Sequence, residues 1–267
     1  MSWAEVSPLV ATTVDRVATL VEGLADLDRP GVGTWTAGDV AAHLVHMVEF
    51  DALAATGVPG AIEDLASMPG LTAALVAGEA DRDPASLARR LRGAAARLAG
   101  AAEQAPPGPR EWIGGVALPV EGIGAHVVSE ALLHGLDLAR AGGRRWSLPA
   151  PESRLALDGF LFPVLADPRS HGLALDRQAV AGVRASYELV VRGGRRWFLR
   201  FDGGTLAVTL EPPAGRLDCR ISADPAALLA VVWGRTGQGS QIARGKLWAR
   251  GPKPWLGMHL TSYFRTI

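Results

Sequence analysis

GAHVVSEALLHGLDLARA, residues 124–141, is apolar at most positions but carries Glu130 and His134 four residues apart. Residues at this spacing lie on one face of an α-helix, about 6 Å apart along its axis. A carboxylate and an imidazole placed in this way can chelate one divalent ion. Because a buried Glu and His pair needs charge compensation, the apolar neighbours favour a metal site over a solvated side-chain pair.

A second helix could supply a third ligand. The stretch WTAGDVAAHLVHMVEF, residues 35–50, begins with a capping-box pattern and contains His43. Three protein ligands leave one position open, which is typical of catalytic zinc. The Glu130 carboxylate argues against copper and allows zinc, nickel, iron or manganese. Asp39 or Asp137 could accept the outer ring N–H of a histidine ligand.

Two further histidines leave the ligand set open at this point. His126 lies one turn before Glu130, so a single ion could use the 126/130 pair or the 130/134 pair. His46 follows His43 by three residues and is another candidate. We interpret His126 and His46 as pocket lining or bundle packing.

The first half of the chain has helical periodicity and predicts a four-helix bundle over residues 1–150. Glycine- and proline-rich breaks separate the predicted helices, and 59–70 is predicted as a loop or short irregular helix. The predicted helices lie near 4–25, 36–55, 70–80, 84–104 and 120–142.

Residues 151–267 change to the two-residue period of strands and predict a small α+β domain. The predicted strands are antiparallel and cover 187–193, 195–204, 205–212, 216–223 and 246–251, and the predicted helices lie near 152–166, 224–233 and 254–264. The glycine-rich stretch 234–245 is predicted as a loop and lacks the ending of a P-loop.

The formal net charge is zero, so bulk electrostatics favours neither nucleic acid nor an anionic membrane as a partner. The charge is nevertheless divided, because residues 1–150 carry a net −7 and residues 151–267 a net +7. Opposite charges favour docking of the two halves and place arginines where an anionic small molecule could meet them. The alternative is two independently solvated surfaces, and the oligomeric state stays open.

A single cysteine, Cys219, excludes an internal disulfide and a cysteine-based zinc site. Its alternating neighbours predict a buried structural thiol instead of a nucleophile. The N-terminus lacks the layout of a signal peptide, and no apolar run reaches the roughly 18 residues that cross a bilayer. The cytoplasm is therefore the expected location.

WTAGDVAAHL (35–44) and EALLHGLDLARA (130–141) together resemble the mycothiol-dependent maleylpyruvate isomerase family. Residues 223–251 are similar to that family's C-terminal domain, so the resemblance covers nearly the whole chain. It implies a DinB-like metal-binding four-helix bundle followed by a sterol-carrier-like α+β domain. It also implies that His43, Glu130 and His134 bind zinc, which selects the 130/134 pair.

By the same resemblance, Arg235 matches an arginine that reaches the interdomain cleft in this family. The implied enzyme holds a low-molecular-weight thiol, mycothiol or a similar one, as a thiolate at zinc or another divalent metal. It would catalyse cis–trans isomerisation or S-transfer on a small anionic electrophile, with Arg235 neutralising its charge. As a separate hypothesis from its position one turn before Glu130, His126 is an acid/base in the pocket. The alternatives are an apolar-ligand binding protein with a structural metal and a thiol-independent metal hydrolase or lyase.

Overall fold

A computed structural model of the chain describes residues 1–58 and 67–265. The chain divides into two compact units, Met1–Leu148 and Pro149–Ile267. Among the described residues, no helix combines the length and the apolar character that crossing a membrane requires. Positions 59–66 of the loop predicted at 59–70 lie outside the described residues, and a helix already begins at Met68.

The first unit contains the predicted four-helix bundle. Its helices are α1 (Trp3–Glu22), α2 (Ala37–Ala55), α3 (Met68–Gly78), α4 (Pro84–Gln104) and α5 (Val120–Ala141). Helices α1 and α2 each pack against both α4 and α5, and the shorter α3 packs against α2. The four long helices therefore bury a common apolar core, as their periodicity predicts.

Caps fix where these helices begin. The backbone N–H of Asp39 donates to Thr36 Oγ1 over 3.1 Å, and the Asp39 carboxylate accepts from the Thr36 backbone N–H over 3.0 Å. The predicted capping box is therefore formed, and such a cap contributes about 1 kcal/mol. Asp83 caps α4, because its carboxylate accepts from the Ser86 backbone N–H over 2.7 Å.

A hairpin precedes α5 where the sequence predicted only a break. Strands β1 (Arg110–Ile113) and β2 (Val116–Leu118) pair in antiparallel fashion. Gly114 and Gly115 join them with φ values of +56° and +77°, which only glycine adopts readily and which suit a two-residue hairpin turn. Because β1 packs against α2, the hairpin brings the Trp112 side chain into the bundle.

The second unit is built on a five-stranded sheet with the order β5-β4-β3-β6-β7. Its strands are β3 (Arg184–Val191), β4 (Arg196–Asp202), β5 (Thr205–Thr209), β6 (Cys219–Ala223) and β7 (Leu247–Arg250). The prediction that all strands are antiparallel is wrong for one pair, since β3 and β6 run parallel with Tyr187 beside Cys219. Alternation identifies the buried face of a strand but is the same for both strand directions.

The helices of the second unit include all three that the sequence predicts, but those predicted near 152–166 and 254–264 are divided into shorter segments. They are α6 (Ala150–Leu155), α7 (Phe162–Ala166), α8 (His171–Ala174), α9 (Arg177–Val180), α10 (Pro225–Val232), α11 (Gln238–Ala243) and α12 (Leu256–His259). A π-helical segment at Ala156–Leu161 joins α6 to α7, and a 3₁₀ segment at Leu260–Tyr263 follows α12. The loop prediction for 234–245 is wrong, because α11 lies within it. Helices of four to six residues are too short to show a periodic pattern.

Cys219 lies buried on β6, as its neighbours predicted. Burial raises the pKa of its thiol above the ordinary value, which keeps the sulfur protonated and unreactive at neutral pH.

Candidate metal centre

Helix α5 runs through the core of the bundle and contains two of the candidate ligands, Glu130 and His134. Nearly all of its 22 residues are buried, and positions 126, 130 and 134 follow one another on one face. Gly135 allows the Trp146 ring to lie directly against the helix, where an alanine Cβ would overlap the ring. The Trp146 indole N–H also donates to the Leu132 carbonyl over 2.9 Å, so α5 is held firmly beside the site.

The structure brings His43, Glu130 and His134 together around one carboxylate oxygen. His43 Nε2 lies 3.1 Å from Glu130 Oε2, and His134 Nε2 lies 3.4 Å from the same atom. One ligand atom from each residue falls within 4.8 Å of the other two. The two imidazole rings meet edge to face with their centroids 4.9 Å apart. Helices α2 and α5 thus present three donor atoms to a common point.

Two of the three separations within the donor set fit a tetrahedral cation, and the third, between the imidazole nitrogens, is at most 4.8 Å. Ligands placed about 2.0–2.1 Å from such an ion lie roughly 3.3–3.4 Å apart. The separations of 3.1 Å and 3.4 Å between the imidazole nitrogens and Glu130 Oε2 match this value closely. Two nitrogens and one oxygen are also the ligand types that zinc takes in catalytic sites, where a fourth position stays open.

The electrostatics of these three groups keep Glu130 ionised. Burial opposes charge on Glu130, but hydrogen bonds with His134 and His43 outweigh it and hold the pKa of Glu130 well below its usual value. Burial opposes charge on His134 as well, but Asp137 and Glu130 outweigh it and raise the pKa of His134 to about 9. Burial lowers the pKa of His43. The site therefore keeps a carboxylate charged in the core, where a cation is stabilised.

Asp137 orients one of the two imidazoles. Its carboxylate, fully buried, lies 3.1 Å from His134 Nδ1, which leaves Nε2 of that ring directed at Glu130. The other aspartate considered for this role, Asp39, is engaged elsewhere: its carboxylate caps α2 and accepts from Arg82 over 3.1 Å. A carboxylate behind a histidine is the usual support for a metal ligand.

His126 borders the site without sharing the common oxygen. Its Nε2 lies 3.8 Å from Glu130 Oε1, and its Nδ1 lies 2.7 Å from Asp51 Oδ2. The Trp112 indole N–H donates to Asp51 Oδ1 over 2.8 Å. Burial opposes charge on His126, but the Asp51 carboxylate outweighs it and raises the pKa of His126.

Asp51 and Trp112 were not predicted from the sequence as residues of the site. A signal for Asp51 was available, because it lies eight residues after His43 and therefore on the same face of α2, two turns along. Trp112 carried no comparable signal, since it reaches the site through a hairpin that was not predicted.

His46 lies in a separate ion-pair cluster. Its Nε2 is 3.1 Å from Glu79 Oε2, and the Glu79 carboxylate is also bound by Arg90 over 2.7 Å. His46 thus joins α2 to the residue that follows α3, which agrees with its interpretation as a packing residue.

Arg235 lies in the second unit, just after the C-terminus of α10. Its Nη1 donates to the Trp233 carbonyl over 2.8 Å, and its backbone N–H donates to the Ala230 carbonyl. These bonds fix the turn that ends the helix. The role of Arg235 towards a substrate stays a prediction.

The fold and the site define the class of protein: a four-helix bundle with a candidate metal centre, followed by an α+β unit. Residues 10–139 match the family model "Mycothiol maleylpyruvate isomerase N-terminal domain". Residues 171–265 match the "SCP-2 sterol transfer family". Residues 10–139 therefore belong to the family of mycothiol maleylpyruvate isomerase N-terminal domains and residues 171–265 to the SCP-2 family, as the sequence motifs predicted.

Solved structures agree with this assignment at the level of the fold. The crystal structure of the mycothiol-dependent maleylpyruvate isomerase is similar with a TM-score of 0.53 and 14% sequence identity, over 95% of this chain and 96% of that chain. A histidine-to-alanine mutant of that isomerase gives a TM-score of 0.50 and 15% identity, over 93% of each chain. No curated protein matches the chain significantly by sequence.

Proposed function

We propose that His43, Glu130 and His134 hold a divalent cation, zinc in the first instance, and that the protein is a thiol-dependent isomerase or S-transferase. The observation that carries this proposal is the position of Oε2 of the buried residue Glu130, which lies 3.1 Å from His43 Nε2 and 3.4 Å from His134 Nε2. The match of residues 10–139 to the isomerase N-terminal domain supports a thiol cosubstrate, mycothiol or a similar one.

A cation bound in this site would supply the positive charge that keeps a thiol ionised at neutral pH. Addition of a thiolate to a conjugated cis double bond gives a single bond that can rotate, and loss of the thiolate then returns the trans isomer. Transfer differs only in that the sulfur stays attached to the electrophile. In both reactions Glu130 and Asp137 hold the two imidazoles in place, and His126 serves as the neighbouring acid/base.

We assign binding of the substrate's anionic group to Arg235. An arginine can hold a carboxylate through two parallel hydrogen bonds, whereas a lysine offers only a point charge. Arg235→Lys is therefore expected to raise KM for an anionic substrate with little change in kcat. An equal KM for anionic and uncharged electrophiles in wild-type protein would argue against this assignment.

The test incubates zinc-loaded protein with mycothiol and cis-conjugated electrophiles such as maleylpyruvate, and follows products by chromatography. Thiol-dependent formation of the trans isomer supports isomerisation, and a stable thioether adduct supports transfer. His134→Ala is expected to abolish either product, while His259→Ala, which replaces an exposed histidine of the second unit, leaves it unchanged. Turnover without any thiol would favour a metal hydrolase or lyase, and wild-type protein without any turnover would overturn the proposal.

Binding of an apolar ligand by the second unit is the other candidate, suggested by the SCP-2 match. An apolar cavity does lie there, lined by residues such as Phe162, Leu228 and Phe264. Its volume is about 90 Å³. Typical ligand pockets measure roughly 300–1,000 Å³, so a sterol-sized molecule would need the unit to open. Extraction of the purified protein with organic solvent, followed by mass spectrometry, would reveal a bound lipid.

A further inference from the structure

Asp51 and Trp112 form a buried support behind His126. Asp51 is completely buried on α2, and both of its carboxylate oxygens are used: Oδ1 accepts from the Trp112 indole N–H over 2.8 Å, and Oδ2 lies 2.7 Å from His126 Nδ1. The Trp112 ring also meets the His126 ring edge to face at a centroid distance of 4.7 Å. Three elements, α2, β1 and α5, therefore converge on one imidazole.

These contacts determine that Nδ1, the His126 nitrogen that faces Asp51, carries a hydrogen. An indole N–H can only donate, so the Asp51 carboxylate acts as an acceptor towards Trp112. The second carboxylate oxygen then accepts from His126 Nδ1–H. The other ring nitrogen, Nε2, is left on the side of Glu130, 3.8 Å from Oε1.

The placement follows from the two helices. Asp51 lies eight residues after His43 on α2, and His126 lies eight residues before His134 on α5. Each step is about two turns, so both pairs keep to one face of their helix. The polar contacts of Asp51 and His126 therefore lie about two helical turns along from the candidate ligands His43 and His134.

We propose that Asp51 and Trp112 are positioning residues that hold His126 in the Nδ1–H form, so that Nε2 is the nitrogen presented to the candidate metal centre. The catalytic part of this inference rests on the proposed function, because it assumes that His126 serves as the acid/base. The tautomeric part rests on the hydrogen bonds alone.

A rival explanation is that the three residues only stabilise the bundle. Asp51→Asn distinguishes the two, because an amide has nearly the same shape as a carboxylate but can donate as well as accept. Loss of the acceptor charge releases the imidazole to its other tautomer, as is known for histidines backed by aspartate. Trp112→Phe keeps an aromatic ring beside His126 and removes the N–H donor together with the five-membered ring of the indole.

The first experiment records the ¹⁵N resonances of the histidine rings at alkaline pH, where a neutral imidazole shows its tautomer. Wild-type His126 is expected in the Nδ1–H form, and Asp51→Asn is expected to populate the Nε2–H form. Asp158→Asn is the matched control, because Asp158 likewise accepts from an indole N–H, that of Trp197, over 2.7 Å. An Nε2–H form in wild-type protein, or an unchanged tautomer in Asp51→Asn, would overturn the inference.

The second experiment measures turnover and metal content of the same variants. Asp51→Asn is expected to lower kcat about 10- to 100-fold, with the KM for the thiol and the bound metal unchanged. Trp112→Phe is expected to have a smaller effect in the same direction, and Asp158→Asn none. A changed tautomer with an unchanged kcat would refute the catalytic part. If wild-type protein has no thiol-dependent turnover, the proposed function fails while the ¹⁵N result still decides the tautomeric part.

Discussion

Glu130 joins two helices through a single oxygen atom, and its surroundings explain why it stays charged in an apolar core. Two imidazole nitrogens lie 3.1 Å and 3.4 Å from Oε2, and they stabilise the carboxylate against its burial. The spacing of Glu130 and His134 and their apolar neighbours are local features, so the sequence indicated this pair together with His43, but the choice of 130/134 over 126/130 depended on the family resemblance. Asp51 and His126 are 75 positions apart, so no local pattern connects them.

Zinc affinity is expected to increase with pH up to about pH 9. His134 must lose a proton before its Nε2 can bind a metal, and its pKa is raised to about 9 because Asp137 and Glu130 outweigh the effect of burial. Below that pH, protons compete with zinc, so each unit of pH increases the apparent affinity by about tenfold. Competition with a chromophoric chelator measures the effect. An affinity that does not change between neutral and alkaline pH would show that no ligand of the metal titrates in this range and would contradict a His134 ligand with a raised pKa.

Asp137→Asn is expected to weaken zinc binding by about 10- to 100-fold, because the amide no longer fixes His134 with Nε2 towards the site. Asp39→Asn serves as the comparison, since Asp39 only caps α2 and accepts from Arg82. Asp39→Asn should reduce the melting temperature but not the affinity for zinc. Equal zinc affinities in the two variants would contradict the role of Asp137.

At the scale of elements, the long helices and the strands of the second unit were predictable, whereas the shortest helices, the β1–β2 hairpin and the parallel strand pairing were not. Helix α5 repeats its apolar pattern over six turns, whereas α11 has only six residues. The β1–β2 hairpin depends on two consecutive glycines with positive φ, Gly114 and Gly115. From the sequence this segment is predicted only as a break between helices. The parallel pairing of β3 with β6 depends on contacts between distant residues, which alternation along one strand does not reveal.

Gly135→Ala is expected to destabilise the protein although alanine is the better helix former. Its Cβ would overlap the Trp146 ring, so the ring must move and lose its hydrogen bond to the Leu132 carbonyl. We expect a loss of about 1–3 kcal/mol in the free energy of unfolding. Gly100→Ala in α4 is the control, because open space surrounds that Cβ, and it should gain up to about 1 kcal/mol. Chemical denaturation measures both, and equal changes would contradict the packing described for Trp146.

At the scale of the whole molecule, the candidate metal ligands and Arg235 lie in different units. Every candidate ligand lies in Met1–Leu148, and Arg235 lies in Pro149–Ile267. The opposite net charges of the two halves, −7 and +7 over 1–150 and 151–267, were visible in the sequence. The sheet order was not, because it is set by pairing between strands that are far apart in the chain.

Zinc is expected to slow hydrogen exchange in α2 and α5, because bound metal links His43 to Glu130 and His134 and stabilises the folded state by mass action. The amides of β3 to β7 carry no candidate ligand and should change little. Mass spectrometry of zinc-loaded and of chelator-treated protein measures the exchange of the helices and of the strands together in each sample. Equal protection of the sheet and of the two helices would contradict a metal confined to the first unit.

The metal content of the purified protein is the most direct test of the central claim. We expect about one equivalent of zinc per chain in wild-type protein and in Glu211→Gln, which changes an exposed carboxylate. Glu130→Gln keeps the shape of the side chain and removes the charge shared by the two imidazoles, so it should lose nearly all bound metal while remaining folded. A folded Glu130→Gln protein that retains a full equivalent, or wild-type protein that takes up no metal from zinc-containing buffer, would contradict the proposed site.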